Sequence, residues 1–500
     1  MTEARRHHPL TMVLKLWKLA KFSFVIAMYL FVIKYGSDST FLKYGRIAFF
    51  LFVGGAVLVI LLKWLTHKYK LDGASFHLYE GVFTKSARTI PLAKIQNVNR
   101  RTTLFHRLCN VTSIRFETGL TGEEAAVEFE VISLAEADAM EKHAASPVPD
   151  DEPEAVQNGE AAAELQASAA HPRRTVHFKP TRKDIVRASF TSLSFLLLIP
   201  LLASAYSKID QIFHVEREAK GLFSILKDSW WIAAILIVVL VAASVAFGMI
   251  RTFVKYGKYE ISSDPERIYI TKGMVDETVF SIAKQRVQAV EITQSVLKRL
   301  LGVAEVKLTS AGGLGDGEDK LEISSLYPFL PVQRAYEMIS EMLPAYEVTR
   351  EMNRLPGKSL WIRMLRPSWL WILSTAALFY FKPRLLGFEQ TWWVVSGALL
   401  IWIFVSRWLD FTNTRYVLKD NFIQFQTGSL TTALFVSKRE KIIEVKVTRS
   451  LFQKWLGLAS VGTINRAKPV RHAGIDDAPA ELAESFVKWY MGRRKEIKVE

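Results

Sequence analysis

Histidine and cysteine side chains are the first candidates for metal ligands and nucleophiles in this chain. None of the 10 histidines stands in an HExxH pair or in a cluster with the spacing of metal ligands. The single cysteine, Cys109, excludes an internal disulfide framework and a zinc site built from cysteines. A GxSxG nucleophile elbow and a GxxxxGK(S/T) phosphate loop are also absent. We therefore predict no catalytic residue, no metal and no cofactor, and a protein that is not an enzyme.

Three other motifs have residue types that could do chemistry. The run Gly312–Gly317 has the composition of a phosphate-binding loop, but it stands where an internal repeat has Gly119–Gly122, so we interpret it as the tip of a hairpin. The acidic pairs Glu123–Glu124 and Asp476–Asp477 are interpreted as turn residues without an acid–base role. None of the three motifs indicates a reaction.

Two lysines, Lys18 and Lys21, are the charges within an apolar segment near the N-terminus. Ionisable groups inside a membrane span can mark a transport path. Lysine side chains near the end of a membrane helix also extend to the headgroup region, and we favour this second interpretation.

Basic side chains recur at two aligned positions, and these are the candidates for contact with lipid or with a protein partner. The first position holds Lys94, Arg286 and Lys441, and the second holds Arg107, Arg299 and Lys454. A positive group beside an anionic leaflet gains about 1 kcal/mol. A solvated face that was duplicated with the rest of the unit would produce the same pattern, so both interpretations stay open.

The composition favours a membrane protein. Of the 500 residues, 50% are hydrophobic, and 65 Lys and Arg against 49 Asp and Glu give a net charge of +16. Such an excess is typical of proteins that bind nucleic acid or anionic lipid, or of the basic flanks of membrane helices. Here the excess lies at helix ends, so we predict no nucleic-acid partner. No small-residue cleavage site follows the first apolar run, which predicts that no signal peptide is removed.

Six apolar segments occur in three pairs, and each pair predicts a transmembrane hairpin. Trp230–Ile250 is uncharged throughout and has the length of about 20 residues that a helix needs to cross a bilayer. Phe22–Ile33 and Pro367–Phe381 are shorter, and a buried or interfacial helix is the alternative for them. The other segments are Ile47–Leu62, Ala188–Ser207 and Thr391–Ser406.

The pairing also predicts orientation. An even number of spans places both termini and the regions after each hairpin on one side, where the helix ends carry more Lys and Arg than those on the other side. By the positive-inside rule this side is cytoplasmic. We expect a multi-pass protein of the cell membrane with cytoplasmic termini and domains.

An internal repeat of three copies decides the architecture. When Gly81, Gly273 and Gly428 are superposed, the copies align without a gap at offsets of 192 and 155 residues. Each copy follows an apolar hairpin. The matching runs are Ile90–Val98, Ile282–Val290 and Lys441–Val445, and then Phe105–Leu108, Leu297–Val303 and Phe452–Leu458.

Each copy has the pattern of a β-rich domain. The three superposed glycines are expected at turns with positive φ, and the strand after them supplies core residues: Leu92, Val98, Val290 and Val445. A short helix follows, Gln294–Leu301 in the second copy, and it ends at Gly302 there and at Gly457 in the third copy. A last hairpin and an amphipathic helix complete the copy. The hairpin strands are Val111–Glu117 with Ala126–Ile132 and Glu305–Thr309 with Lys320–Ser324, and the helices are Leu134–His143, Leu330–Met342 and Ala480–Arg493.

These motifs resemble those of the bacterial pleckstrin-homology-like (PH-like) membrane proteins of the YdbT type. The similarity rests on Ile90–Val98 with Gln96, on its second copy with Gln288, on Leu297–Val303 and on the apolar hairpins, and it covers nearly the whole chain. It implies domains of two packed antiparallel sheets, roughly orthogonal, each capped by a C-terminal helix.

Some positions depart from this pattern. The third copy departs most, with Ile443 in place of the glutamine and a last hairpin, Ile464–Gly474, that looks short. The second copy has Ala283 where the first has Pro91, and the first has Asn110 in place of the closing glycine.

The predicted fold is a multi-pass α-helical membrane protein with α+β, mainly β, cytoplasmic domains. We expect hairpins at residues 10–65, 185–250 and 367–409, and PH-like domains at 66–145, 255–345 and 412–495. A disordered, acidic and Ala-rich linker is expected at 141–172.

The leading hypothesis for function is a non-enzymatic scaffold whose PH-like domains bind anionic lipid headgroups or envelope proteins. The resemblance suggests envelope stress or defence as the setting, and a second copy of the chain is a further expected partner. A transporter or channel subunit is the alternative, although the six segments offer few polar residues beyond Ser, Thr and Gly. Because PH-like sheets have open edges, we also predict that the three domains pack together with their edges partly paired.

Overall fold

The computed structural model describes residues 4–34, 39–72, 75–82, 84–118, 126–145, 174–191, 230–310, 325–381, 391–467 and 470–493. The chain divides into two compact units. The first consists of Met1–Arg173 with Val275–Ser281, and the second of Arg174–Met274 with Ile282–Glu500. The second unit therefore holds most of the second repeat and the whole of the third.

The first repeat begins with a two-residue strand, continues with two long helices and ends in a β-rich domain. Helix α1 ends in a π-helical stretch, Met28–Ile33. The elements are β1 (Arg5–Arg6), α1 (Leu10–Ala27), α2 (Thr40–Thr66), β2 (Lys68–Leu71), β3 (Ser75–Glu80), β4 (Ser86–Pro91), β5 (Ile95–Thr102), α3 (Leu104–Leu108), β6 (Val111–Thr118), β7 (Ala126–Ser133) and α4 (Leu134–Ala145).

The second repeat has the same order of elements. They are β8 (Thr175–Phe178), α5 (Arg182–Thr191), α6 (Trp230–Tyr256), β9 (Glu260–Ser263), β10 (Arg267–Lys272), β11 (Glu277–Ala283), β12 (Val287–Gln294), α7 (Val296–Leu300), β13 (Val303–Ser310), β14 (Ser325–Pro331) and α8 (Val332–Met342).

The described part of the third repeat has a short helix before the helix that begins its hairpin. Its elements are β15 (Asn353–Arg354), α9 (Lys358–Leu365), α10 (Trp369–Phe381), α11 (Thr391–Asn413), β16 (Arg415–Lys419), β17 (Phe422–Thr427), β18 (Thr432–Lys438), β19 (Ile442–Thr448), α12 (Leu451–Leu456), β20 (Leu458–Asn465), β21 (Arg471–Pro479) and α13 (Ala480–Gly492). In all three repeats a 3₁₀ turn joins the fourth strand to the fifth: Leu92–Lys94, Lys284–Arg286 and Arg439–Lys441.

The strands form antiparallel sheets in the order that the repeat predicts. In the first unit the order is β1-β2-β3-β4 for one sheet, and β7-β6-β5 runs through the other. In the second unit, β8, β9 and β10 pair in sequence, as do β15 to β18, β12 to β14 and β19 to β21. These antiparallel sheets, each followed by a closing helix, agree with the fold that the resemblance implied.

The short strands β1, β8 and β15 escaped the sequence analysis. Each one precedes the first helix of its hairpin and pairs with the first strand after that hairpin, for example Arg5 with Tyr69 and Asn353 with Tyr416. Two or four residues are too few to show a strand period. Their pairing brings the two ends of each hairpin together at the domain.

The core of the first domain lies between its two sheets and helix α4. Phe76, Phe116 and Phe129 are buried there, with the ring centroids of Phe76 and Phe116 4.8 Å apart. Leu92, Val98 and Val290 are also buried, as predicted. Val445 is only half-buried beside the core of the third domain, so this prediction holds in part.

The superposed glycines do have positive φ, which explains their recurrence. The φ angles are 119° at Gly81, 93° at Gly273 and 115° at Gly428. A Cβ atom would lie 1.8 Å from the carbonyl oxygen of Thr84 at the first position and 2.0 Å from that of Thr431 at the third. No other residue fits such a turn without moving the backbone.

The short helix of each repeat ends as expected from its sequence, and a hydroxyl side chain caps its beginning. Thr103, Ser295 and Ser450 are the N-cap residues, and each side chain accepts a hydrogen bond from the backbone N–H three residues on. The helices end at residues with positive φ: Asn110 (54°), Gly302 (65°) and Gly457 (70°). Asparagine therefore replaces glycine without changing the backbone of the first copy.

Three helices in the described part of the chain are long and apolar enough to cross a membrane: Leu10–Ile33, Thr40–Thr66 and Trp392–Asn413. The first is longer than the predicted Phe22–Ile33 because the basic residues before Phe22 are also helical. Of the predicted segment Ala188–Ser207, residues from 192 onward lie outside the described residues. The structure thus supports membrane helices, and the six-span arrangement remains a prediction.

Lys18 lies on α1 and its side chain reaches the first domain; the extension of Lys18 and Lys21 to the headgroup region stays a prediction. Its Nζ donates to Oε1 of Glu130 on β7 at 2.8 Å, and the Nζ of Lys15 is 3.9 Å from the other oxygen of the same carboxylate. The first turns of α1 therefore contact the first domain, and the charge is compensated by an acidic residue of that domain.

A buried arginine makes the corresponding contact in the third repeat. Arg363 on α9 is 4% exposed and donates to the carboxylate of Asp410 on α11, to the hydroxyl of Thr414 and to the carbonyl oxygen of Asp476. Asp477, which is 0% exposed, accepts from Gln453 and Arg366 at 2.8 Å each. The pair Asp476–Asp477 thus lies in strand β21 and binds the hairpin, which corrects its interpretation as a turn.

Two other predictions about hairpins were wrong or fall outside the described residues. The last hairpin of the third repeat is not short, since β20 and β21 have 8 and 9 residues. The predicted strand Lys320–Ser324 and the loop Gly312–Gly317 lie outside the described residues, and the strand after them, β14, begins at Ser325. The predicted linker also lies outside them, except that α4 continues to Ala145.

We predict that Asp477→Asn destabilises the third repeat by about 1.5–3 kcal/mol. It removes a buried carboxylate that accepts from Arg366 and lies 3.5 Å from Arg363, while Asp410 still pairs with Arg363. Asparagine tolerates positive φ, so the backbone conformation at this position (φ 60°) is preserved. The melting temperature of the protein in detergent measures the effect. Asp72→Asn is the matched control, because Asp72 pairs with Lys70 at an exposed site where solvent screens the ion pair. Equal melting temperatures for the two variants would contradict the prediction.

Candidate functional site

The strand edge between the second and third repeats is a candidate site for association. Strand β12 pairs with β13 of its own repeat on one side and with β18 of the third repeat on the other, both antiparallel. Six consecutive residues pair along this second edge, from Ala289 with Ser437 to Gln294 with Thr432. The two sheets thereby become one sheet of seven strands within the second unit.

Side chains reinforce this edge. The Nε and Nη2 atoms of Arg471 lie 2.6 and 2.8 Å from the two carboxylate oxygens of Glu291, a bidentate ion pair between β21 and β12. The hydroxyl of Ser437 donates to the carbonyl oxygen of Gln288 at 3.0 Å. Lys441 donates from Nζ to the carbonyl oxygen of Gln285 at 3.1 Å. One of the predicted basic residues, Lys441, is therefore part of the contact between repeats.

The basic position on the short helix contacts the same kind of edge. Arg299 donates to the hydroxyl of Thr432, the first residue of β18, at 3.0 Å. In the first unit, Arg107 lies 3.4 Å from the carboxylate of Glu277, the first residue of β11. Glu277 and Thr432 occupy the same position in the repeat. Lys454 is exposed on α12.

The other predicted positions lie at the 3₁₀ turns and are not brought together with the short helices by any described contact. Lys94 and Arg286 are exposed. The side chain of Gln288 donates to the carbonyl oxygen of Arg286 at 3.2 Å, so this glutamine stabilises the turn. Gln96 lies on β5, and its side chain is outside the described part. Ile443, which replaces the glutamine in the third repeat, is 54% exposed.

Large apolar side chains on the short helices are exposed, and the sequence analysis missed them. Leu108 is 87% exposed on α3, and Leu300 is 81% exposed on α7. On α12 the exposed fractions are 85% for Leu451, 73% for Phe452 and 85% for Trp455, beside the exposed Lys454. The signal in the sequence was two apolar residues one helical turn apart, on either side of a basic residue. Such a combination is typical of helices that contact a membrane interface.

A cavity of about 270 Å³ lies in the first unit where α1 begins and α2 ends. His7 lies there with its carbonyl oxygen accepting a hydrogen bond from Trp64 Nε1 at 3.0 Å. Burial lowers the pKa of His7, and the charges of His67 and Lys15 lower it further, which favours the neutral imidazole. The hydroxyl of Tyr69 donates to Glu136 at 2.7 Å. The lining residues are Arg5, Arg6, His7, His8, Pro9, Trp64, Tyr69, Val131, Ile132 and Glu136.

The described residues contain no group of three or more His, Cys, Asp or Glu side chains that could hold a metal ion. Cys109 is a free cysteine, partly exposed at the end of α3. Glu291 and Asp477 are bonded to arginine side chains, and Glu136 accepts from the hydroxyl of Tyr69.

Comparison with known proteins agrees with this architecture. A sequence model of the bacterial PH domain family matches residues 21–148, 194–344 and 372–494, which together cover well over half of the chain. The chain belongs to the bacterial PH domain family. Each match contains one of the three copies found in the sequence, so the protein carries three bacterial PH segments.

This bacterial PH domain protein also resembles a curated relative along its whole length. It is 22% identical over 503 residues to the UPF0699 transmembrane protein YdbT of Bacillus subtilis (strain 168), and the alignment covers 98% of each chain. The predicted resemblance to proteins of the YdbT type is thereby confirmed, as is a transmembrane protein with bacterial PH domains. No solved structure matches the chain.

We predict that cysteines at Thr293 and Ala433, in a Cys109→Ser background, form a disulfide in native membranes. These residues are direct partners across β12 and β18, and side chains of such partners lie within disulfide reach. Cross-linked peptides are identified by mass spectrometry. The control pair Thr293→Cys with Ser437→Cys is shifted by four residues along β18 and should not cross-link. Equal yields for the two pairs would refute this edge pairing.

Proposed function

We propose that this bacterial PH domain protein is a non-enzymatic scaffold of the cell membrane, which binds partner proteins through sheet edges and anionic lipid through its short helices. The main support is the pairing of β12 with β18, which the ion pair between Arg471 and Glu291 reinforces. A protein that already joins its own domains through strand edges has the surface needed to join others.

Lipid contact is supported by the short helices. Leu451, Phe452 and Trp455 expose most of their surface beside Lys454, and aromatic and basic residues together favour the interface of a bilayer. We propose that Lys94 and Arg286, exposed at the 3₁₀ turns, add to the attraction to anionic headgroups. Lys18, which could have supported a transport path, is bonded to Glu130 instead, so we do not favour a transporter or channel subunit.

We propose a topology of six spans, with both termini and all three domains cytoplasmic. It follows from the positive-inside rule and from the pairing of each hairpin's two ends at one domain. Reporter fusions after Asn158 and after Glu500 should give a cytoplasmic signal, and a fusion after Asp210 an external one. An external signal after Asn158 would rule out the hairpin arrangement.

We predict that α12 lies at the membrane interface. Leu451→Cys in a Cys109→Ser background, labelled with an environment-sensitive fluorophore in nanodiscs, should be quenched by lipids with brominated chains. Anionic lipid should increase the quenching, and Lys454→Glu or high salt should reduce this increase. The control label is at Glu484→Cys, an exposed position on α13. Equal quenching at the two positions would refute lipid contact by α12.

A further inference from the structure

One strand in each repeat offers an edge to the strand that follows in the sheet. In the second repeat this is β12, whose edge is filled by β18. In the first unit it is β5, which is followed in the sheet order by β11. In the third repeat it is β19, and within the described residues β19 is the last strand of its sheet. The carbonyl oxygens of Ile442 and Ile443 accept hydrogen bonds from Arg493 and Tyr490. From Glu444 onward, the pattern of the first two repeats leaves an edge of the same type without a neighbouring strand among the described residues.

The side chains of β19 show the consequence. Ile443 and Val447 are 54% and 36% exposed. At the positions of β12 that correspond by the repeat, Gln288 and Ile292 are 8% and 5% exposed. Charged residues or proline on an edge strand prevent its pairing with other chains, whereas exposed β-branched residues on an edge favour such pairing.

A second copy of the chain would have to offer β4, the strand of the first repeat that corresponds to β11 and β18. If the register of β12 with β18 is transferred to β19 and β4, Lys446 stands opposite Arg88 and Arg449 stands opposite Lys85. Like charges directly opposite one another destabilise a strand pair. Pro91 at the end of β4 also lacks an N–H to donate. The edges of β19 and β4 are therefore not complementary in charge.

Strand β11 shows what would be complementary. In the same register, Arg449 stands opposite Glu277 and Val447 opposite Val279. Glu277 is the carboxylate that Arg107 of the first repeat contacts, and Lys454 occupies the position of Arg107 in the third repeat. In β12, the acidic Glu291 pairs with the basic Arg471 of the third repeat. Lys446 occupies the position of Glu291 in β19, so a partner of β19 should carry a negative charge there.

We propose that β19 binds, as an antiparallel neighbour, an edge strand of a different protein that begins with acidic residues and continues with β-branched or aromatic residues. This inference rests on the proposed scaffold function and names the chemistry of its partner. We expect α12 to leave room for such a strand. The corresponding helix of the second repeat, α7, keeps Leu300 exposed although β12 is paired on both edges.

Two synthetic peptides from this chain test the edge. The probe carries the sequence of residues 274–284, with Asp276 and Glu277 at its start and a cysteine in place of Val279. The control carries residues 82–92, the corresponding strand with Lys85 and Arg88, and a cysteine in place of Ala87. Each is oxidised with the full-length protein in detergent, which bears Cys109→Ser and Val447→Cys.

We expect roughly five- to tenfold more disulfide adduct with the acidic peptide. Arg449 stands opposite Glu277 in place of Lys85, and Lys446 stands opposite Phe280 in place of Arg88, so one charge pair changes sign and one repulsive pair is removed. Lys446→Glu with Arg449→Glu, both exposed, should reverse this preference. A cysteine at Glu128, exposed on β7, serves as the control site and should trap both peptides equally and weakly. Equal trapping of the two peptides at Val447→Cys would overturn the proposal.

A second copy of the chain as the partner of β19 is tested in the same Cys109→Ser background. Chains with Val447→Cys are mixed with chains with Ala87→Cys, and the expected result is no disulfide-linked dimer. A dimer in good yield would overturn the proposal, because β4 of a second copy would then be the occupant. Either result leaves the proposed function open to its own tests, since the disulfide between Thr293→Cys and Ala433→Cys and the quenching at α12 do not depend on β19.

Discussion

Unpaired backbone groups at the edge of an open sheet are the constraint on which the rest of this structure depends. In each repeat, the second sheet ends in a strand whose N–H and C=O groups need partners. The chain satisfies β12 by placing β18 of the third repeat beside it, with six residues in register. The tandem order makes this favourable, because a strand held on the same chain is present at high effective concentration.

The hairpins are joined to their own domains by polar contacts. Lys18 bonds to Glu130 in the first repeat, and Arg363 bonds to Asp410 and packs against Asp477 in the third. Short strands before each hairpin add backbone pairing to the first strand after it. A scaffold benefits from such contacts, because they couple the position of a domain to that of its membrane helices.

Much of the fold could be predicted from local pattern. The turn at Gly81, the N-cap at Ser450 and the closing Asn110 depend on φ angles and on hydrogen bonds within a few residues. The candidate contact residues were harder to predict from the sequence. Arg299 and Lys441 recur as exposed basic residues would, yet they contact the neighbouring sheet. The sequence analysis did not identify the exposed leucines of α3 and α7 as a surface, because periodicity shows an apolar face and not what covers it.

The sequence by itself determined the three copies, their order and most of the strands and helices within each, because these follow from side-chain type at short range. Only the tertiary structure decided which edges meet and which charges pair. Lys18 and Glu130 are 112 residues apart, and Glu291 and Arg471 are 180 apart. Such contacts depend on how two sheets and a membrane hairpin are placed in space, and no local hydrophobic or charge pattern encodes that placement.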